Sequence, residues 1–145
     1  QRLLNASNLI LEKEFNDIPK GITGLISGTY PFYTATQNTV CSVISTVMST
    51  PEPGKAFVDC GQKAISIDQG VPSVINYPDT EIEKMSAEHG YVIFDSSKLN
   101  LQIGDKILLA PASYSGTFNL YDFVNIIEED KLQSIIPTDS RGAFK

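Results

Sequence analysis

The sequence predicts a mainly β protein: a β-barrel or β-sandwich domain with one N-terminal helix and few short helical turns. Three observations carry that prediction. From Gly21 onward the chain alternates short apolar runs rich in Val, Ile, Thr, Tyr and Phe with clusters of Pro, Gly, Asn, Asp and Ser, the pattern of strands and turns. The runs follow one another closely, as in closed or sandwiched β domains. With 145 residues, 41% hydrophobic and 19% charged, the chain is one domain's worth and can bury a core.

Residues 1–20 read differently from the rest. Leu3, Leu4, Ile10, Leu11 and Phe15 fit one apolar stripe amid good helix formers, and Pro19 stops the pattern, so a helix is predicted at roughly Ser7 to Asn16. Ile22 to Ser27 is the first candidate strand and Thr29 to Thr34 the second, confined to an edge or bulge by Pro31. Val40 to Ser49 has apolar residues at helical spacing. Its Val, Ile, Ser and Thr content favours a strand, because β-branched side chains lose rotamer freedom in a helix. Thr50-Pro51-Glu52-Pro53-Gly54 reads as a turn and Lys55 to Asp59 as a buried strand. Ile65 and Ile67 alternate with Ser66 and Asp68; Pro72 and Pro78 bracket Ser73 to Tyr77; Ile82 and Met85 precede Glu88-His89-Gly90; Tyr91 to Phe94 is a strand. Leu99 to Ile103 leads to the turn Gly104-Asp105 and the strand Ile107 to Ala110, which Pro111 ends. Ala112 to Thr117 reads as a loop of small and polar residues. Phe123 to Ile127 and Lys131 to Ile136 form a hairpin across Glu128-Glu129-Asp130.

Composition excludes several function classes. The net charge is −6 and no Lys/Arg cluster occurs, which argues against nucleic acid. No apolar run approaches the roughly 18 residues of a membrane span. Cys41 and Cys60 read as free, buried thiols of a reducing compartment, and the expected location is cytoplasmic. There is no GxGxxG, P-loop, CxxC or GxSxG motif. Ser113, Ser115 and Gly116 lack the strand-to-helix elbow and the base of a serine hydrolase.

Several segments together carry a resemblance. Gly28-Thr29-Tyr30-Pro31-Phe32 is similar to a G-T-Y-x-F strand, and Ser49 through Asp59 to S-R-P-x-P-G-x-x-V-x-D. Asp59 through Asp68 is similar to D-x-G-x-K-A-L-S-x-D, Glu88-His89-Gly90 to E-H-G, and Arg141-Gly142 to a closing R-G. Pro111 to Asp122 is similar to P-N-H-x-C-x-T-x-N-L-x-D, matching at Pro111, Thr117, Asn119, Leu120 and Asp122. In this order the segments resemble the C-terminal β domain of the D-threonine aldolase and D-serine dehydratase family, pyridoxal-phosphate (PLP) enzymes of the alanine-racemase fold type. The matches span about residues 21–142.

The resemblance implies residues 21–145 as the C-terminal β domain and residues 1–20 as the last helix and linker of a preceding (β/α)8 barrel. That barrel would carry the PLP lysine and phosphate site, so no cofactor-binding residue is expected in this chain. Partners would be the barrel of the same or of a partner subunit, in a homodimer. The family's metal ligands, His and Cys or Asp, fall on Ser113 and Ser115, and Thr34 stands where the family often has Asp. Neutral hydroxyls are poor ligands for zinc or manganese, so no tightly bound metal is expected. Candidate catalytic residues are His89, the chain's one histidine, with Tyr30 and Tyr114. Tyr114 and Tyr121 would face the cleft beside the serines. Aromatic core packing competes as the role of Tyr30 and Tyr33. Lys63 is rejected as the PLP lysine and is expected to pair with Asp59 or Asp68 instead. The alternative is a free-standing, non-catalytic β domain that binds a partner or small ligand. The parent reading frame separates the two: an upstream barrel favours the enzyme, a nearby initiator Met the module.

Overall fold

The computed structural model describes residues 3–5, 24–26, 32, 39–139 and 141–142. The helix expected at 7–16 and most of the strand expected at 29–34 lie outside the described residues. By packing, the chain divides into two units, Gln1–Cys41 and Ser42–Lys145.

In the first unit β1 (Leu3–Asn5) pairs with β2 (Gly24–Ile26). The pair is parallel, with Leu3 opposite Gly24 and Asn5 opposite Ile26. Parallel neighbours cannot be joined by a tight turn and need a crossover connection.

The second unit is built on a six-stranded sheet in the order β5-β8-β3-β4-β7-β6. Its strands are β3 (Val43–Glu52), β4 (Lys55–Val58), β5 (Ser73–Val74), β6 (Thr80–Met85), β7 (Gly90–Phe94) and β8 (Lys106–Ala110). Every pairing in it is antiparallel. The two edge strands, β5 and β6, come back against each other, so the sheet is a nearly closed barrel and its edges are largely hidden. Alternation along the strands sends Val47, Ala56, Val58, Ile82, Val92, Ile107 and Leu109 inward. Ile65 and Leu101, from connecting segments, join this core.

The β prediction holds: strands dominate, and one short helix, α1 (Tyr114–Phe118), is described. Val43–Glu52 is a strand despite its helical spacing, because neighbours on both sides take up its backbone groups. It also runs through Thr50 to Glu52, so the expected turn shrinks to Pro53-Gly54, where Gly54 takes φ +82°. The alternation at Ile65 and Ile67 does not make a strand. That segment is a tight turn, with the N–H groups of Ala64 and Ile65 both donating to the Gly61 carbonyl at 2.9 and 3.1 Å.

The remaining element is a separate two-stranded ribbon, β9 (Phe123–Glu128) and β10 (Lys131–Pro137). Glu129 and Asp130 both have positive φ, 48° and 59°. That is the geometry of a type I′ turn, whose twist matches the strands it joins.

Candidate functional site

The site is organised by one connecting segment, Gly61–Asp68, and what it touches at each end. At its start it is stapled to the turn between β6 and β7. Gln62 N–H donates to the Ser86 carbonyl at 2.8 Å, Lys63 N–H to the Ala87 carbonyl at 3.1 Å, and the Gln62 side-chain amide to the Met85 carbonyl at 2.7 Å. The approach is so close that a Cβ on Gly61 would lie 2.4 Å from the Ala87 carbonyl oxygen. The turn carries His89. Its backbone carbonyl accepts from Ser86 N–H at 2.8 Å, and its side chain is exposed.

At its other end the same segment holds α1. Ser66 N–H donates to Thr117 Oγ1 at 3.1 Å, and the Tyr121 hydroxyl donates to the Ala64 carbonyl at 2.7 Å. Gly116 sits so tightly that a Cβ there would lie 2.5 Å from Ser66 Oγ.

The expected loop at Ala112–Thr117 is therefore a helical turn from Tyr114 on. The local reason is Ser113: its backbone is extended, and its hydroxyl accepts from Gly116 N–H at 3.3 Å, an N-cap. Ser113 is buried, 5% exposed, while Ser115 points to solvent. Beside them lies Asp68. It accepts from the Ser66 hydroxyl at 2.5 Å. The Ser66 hydroxyl first, then that of Ser113, holds its carboxyl below the usual carboxylate range, because a hydroxyl donor favours the charged form.

The candidate residues are thus dispersed. Tyr30 lies outside the described residues. Tyr114 opens α1 but is only 2% exposed, so its ring is packed inward rather than presented at a cleft. The Tyr121 hydroxyl is committed to a backbone carbonyl. Among the described residues no hydrogen bond joins His89 to Ser113 or Ser115. Lys63 pairs with Glu88, not with Asp59 or Asp68. Asp59 turns the other way, accepting from Ser45 Oγ at 2.8 Å and Thr46 N–H at 2.7 Å. Sequence reasoning passed over Ser66, Asp68 and Thr117 as site residues. Their signal was their membership in the two segments Asp59–Asp68 and Pro111–Asp122, which the fold brings together.

Among the described residues no three His, Cys, Asp or Glu side chains gather as a metal-holding group, and the Ser113 hydroxyl is engaged by Gly116 N–H and Asp68.

The fold defines a class, a nearly closed antiparallel β-barrel domain. Residues 40–127 match the family described as "Putative serine dehydratase domain". The chain belongs to that serine dehydratase domain family. It is 35% identical over 100 residues to a 3-hydroxy-D-aspartate aldolase of Paracoccus denitrificans, covering 69% of this chain and 25% of that protein. It is 28% identical to a D-threonine aldolase of Arthrobacter sp, covering 69% and 26%. The crystal structure of D-threonine aldolase from Filomicrobium marinum matches with a TM-score of 0.72 at 30% identity, over 84% of this chain and 37% of that one. An alanine-racemase-like protein from Idiomarina loihiensis shares the fold, with a TM-score of 0.65 at 18% identity over 93% and 42%. The chain spans about a quarter of the length of the curated relatives it matches.

Proposed function

We propose that this chain is the C-terminal β domain of a PLP-dependent D-amino-acid aldolase, dehydratase or racemase-like protein. In that reading it caps the active site of a (β/α)8 barrel, on the same or a partner subunit of a cytoplasmic homodimer. The observation that carries the proposal is family membership joined to coverage of only a quarter of each aldolase relative. The parallel β1–β2 pair supports it. A two-stranded parallel sheet is not stable by itself and belongs to a larger, covered sheet.

PLP, when bound, supplies the electron sink for reactions at an amino acid's α-carbon. Lys63 is not assigned as its anchor: that side chain is exposed and ion-paired with Glu88. The domain's part is to close the barrel's mouth, where water must be excluded. His89, on an exposed turn, is the side chain assigned to hold or move a proton there, because an imidazole ring carries two nitrogens that can donate or accept.

The serines set this protein apart from metal-using relatives. Hydroxyls at both ligand positions leave the donor set too weak for zinc or manganese, so chemistry that relies on a metal Lewis acid is expected to be weak or absent in the full-length protein. Elemental analysis of that protein beside the double variant Ser113→His, Ser115→Cys tests this. Metal gained only by the variant supports the reading. One metal per chain already in the wild type, with no gain in the variant, refutes it.

A further inference from the structure

We infer that the β9–β10 ribbon is a docking element whose two faces are enclosed by the (β/α)8 barrel of the full-length protein. The inference rests on the function proposed above and assigns the surface through which the cap is held.

The ribbon carries exposed apolar side chains on both sides, beside Asn125 on one and mixed with Glu128, Lys131 and Ser134 on the other. Its register places Phe123, Ile127, Leu132 and Ile135 on one face, and Val124, Ile126 and Ile136 on the other. Exposure of the large side chains runs from 41% at Ile126 to 62% at Phe123. Neither strand touches any other described strand or α1, and the outer edge of each is unpaired. Two strands alone are marginal in water. A ribbon with apolar faces and open edges is also a template for adventitious pairing unless covered.

The ribbon is nevertheless aimed. At its base Thr138 N–H donates to the Asp122 carbonyl at 2.9 Å, and the Arg141 guanidinium grips the Asp122 carboxylate. Arg141 Nε also donates to the Asn119 carbonyl at 3.2 Å, and Gly142 N–H to Asn119 Oδ1 at 3.0 Å. These contacts tie the ribbon to the end of α1, so its direction is set by the helix that carries Ser115.

The two-sidedness selects the occupant. A second copy of the ribbon stacked across a twofold axis would cover one face of each and leave the other wet. Enclosing both faces takes a body larger than the ribbon and present one-to-one with it. The relatives supply such a body: three-quarters of the aldolase length lies outside the matched region. The tip, Glu128-Glu129-Asp130, adds an acidic end, which a basic rim on the barrel would complement.

The test places a photo-cross-linking residue at Ile127 on one face and, separately, at Ile126 on the other, in the full-length protein. Linked peptides are then read by mass spectrometry. Cross-links from both positions to the barrel are expected. A barrel present but linked from neither position, or links only between ribbons of two copies, overturns the inference while leaving the proposed function standing. A full-length protein without any barrel overturns both. Proteolysis gives a second reading: Ile127→Lys with Ile135→Lys should make the ribbon cleavable in full-length protein whose far-ultraviolet circular dichroism is unchanged, and unaltered resistance counts against docking.

Discussion

Replacing Gly61 by Ala tests whether the Gly61–Asp68 segment is held as tightly as its geometry requires. The new methyl carbon would lie 2.4 Å from the Ala87 carbonyl oxygen and 2.5 Å from the carbonyl carbons of Ala87 and Glu88. All three are backbone atoms, so no side chain can swing aside. The two chain segments must separate, and the bonds from Gln62 N–H to the Ser86 carbonyl and from Lys63 N–H to the Ala87 carbonyl stretch first. Losing two such bonds costs roughly 1 kcal/mol each, and overpacking a tight contact adds about 1–3 kcal/mol. Restricting the unfolded chain returns about 0.4–1 kcal/mol, leaving a net destabilisation of about 2–5 kcal/mol. For a chain of this size each kcal/mol lowers the melting temperature by about 2–4 °C. Urea unfolding followed by circular dichroism gives the measurement. Faster amide exchange at Gln62 and Lys63 than in the wild type should accompany the loss. A midpoint unchanged by the substitution, or raised, would refute the argument that contact with the His89 turn demands glycine.

Two further outcomes are expected. Burial acts to raise the Asp59 carboxyl's pKa, but the Thr46 N–H, the Ser45 hydroxyl and the nearby Lys106 charge outweigh it and hold the group below its ordinary value. The folded state therefore favours ionised Asp59, and its contribution is fully present above about pH 4 and fades as pH falls through the lower folded value. Asp59→Asn should be less stable than wild type near neutrality, with the gap closing in acid; a gap that stays constant with pH would refute this. Burial, with the Asp59 charge beside it, pushes the Cys60 thiol up to about 12, so folded protein should not be alkylated there by iodoacetamide at about pH 8, since the thiolate is the nucleophile. Alkylation of Cys60 as fast as in urea would show that the thiol is not buried as described.

What the sequence determined by itself was local and periodic. β-Branched runs made Val43–Glu52 and Phe123–Ile127 strands, and Gly and Pro marked most boundaries. Two apolar runs flanking Glu128-Glu129-Asp130 were enough to announce a hairpin, because a short connection leaves antiparallel pairing as the available geometry. The order of short motifs carried the family. Tertiary structure decided everything that depends on partners far apart in the chain. Ala112–Thr117 reads as a loop until Ser113 is seen capping Gly116 and Thr117 receiving Ser66 from 51 residues away. The sequence offers Lys63 two nearby aspartates, yet the fold delivers Glu88, 25 residues on, because Gln62 and Lys63 are stapled to the turn that holds it. Tyr114 looks available beside two serines and is packed inward because α1 lies against the Ala64–Asp68 segment. Periodicity fixes which way a side chain alternates along its own strand; which surface it then meets depends on strand order and connections that no single segment encodes.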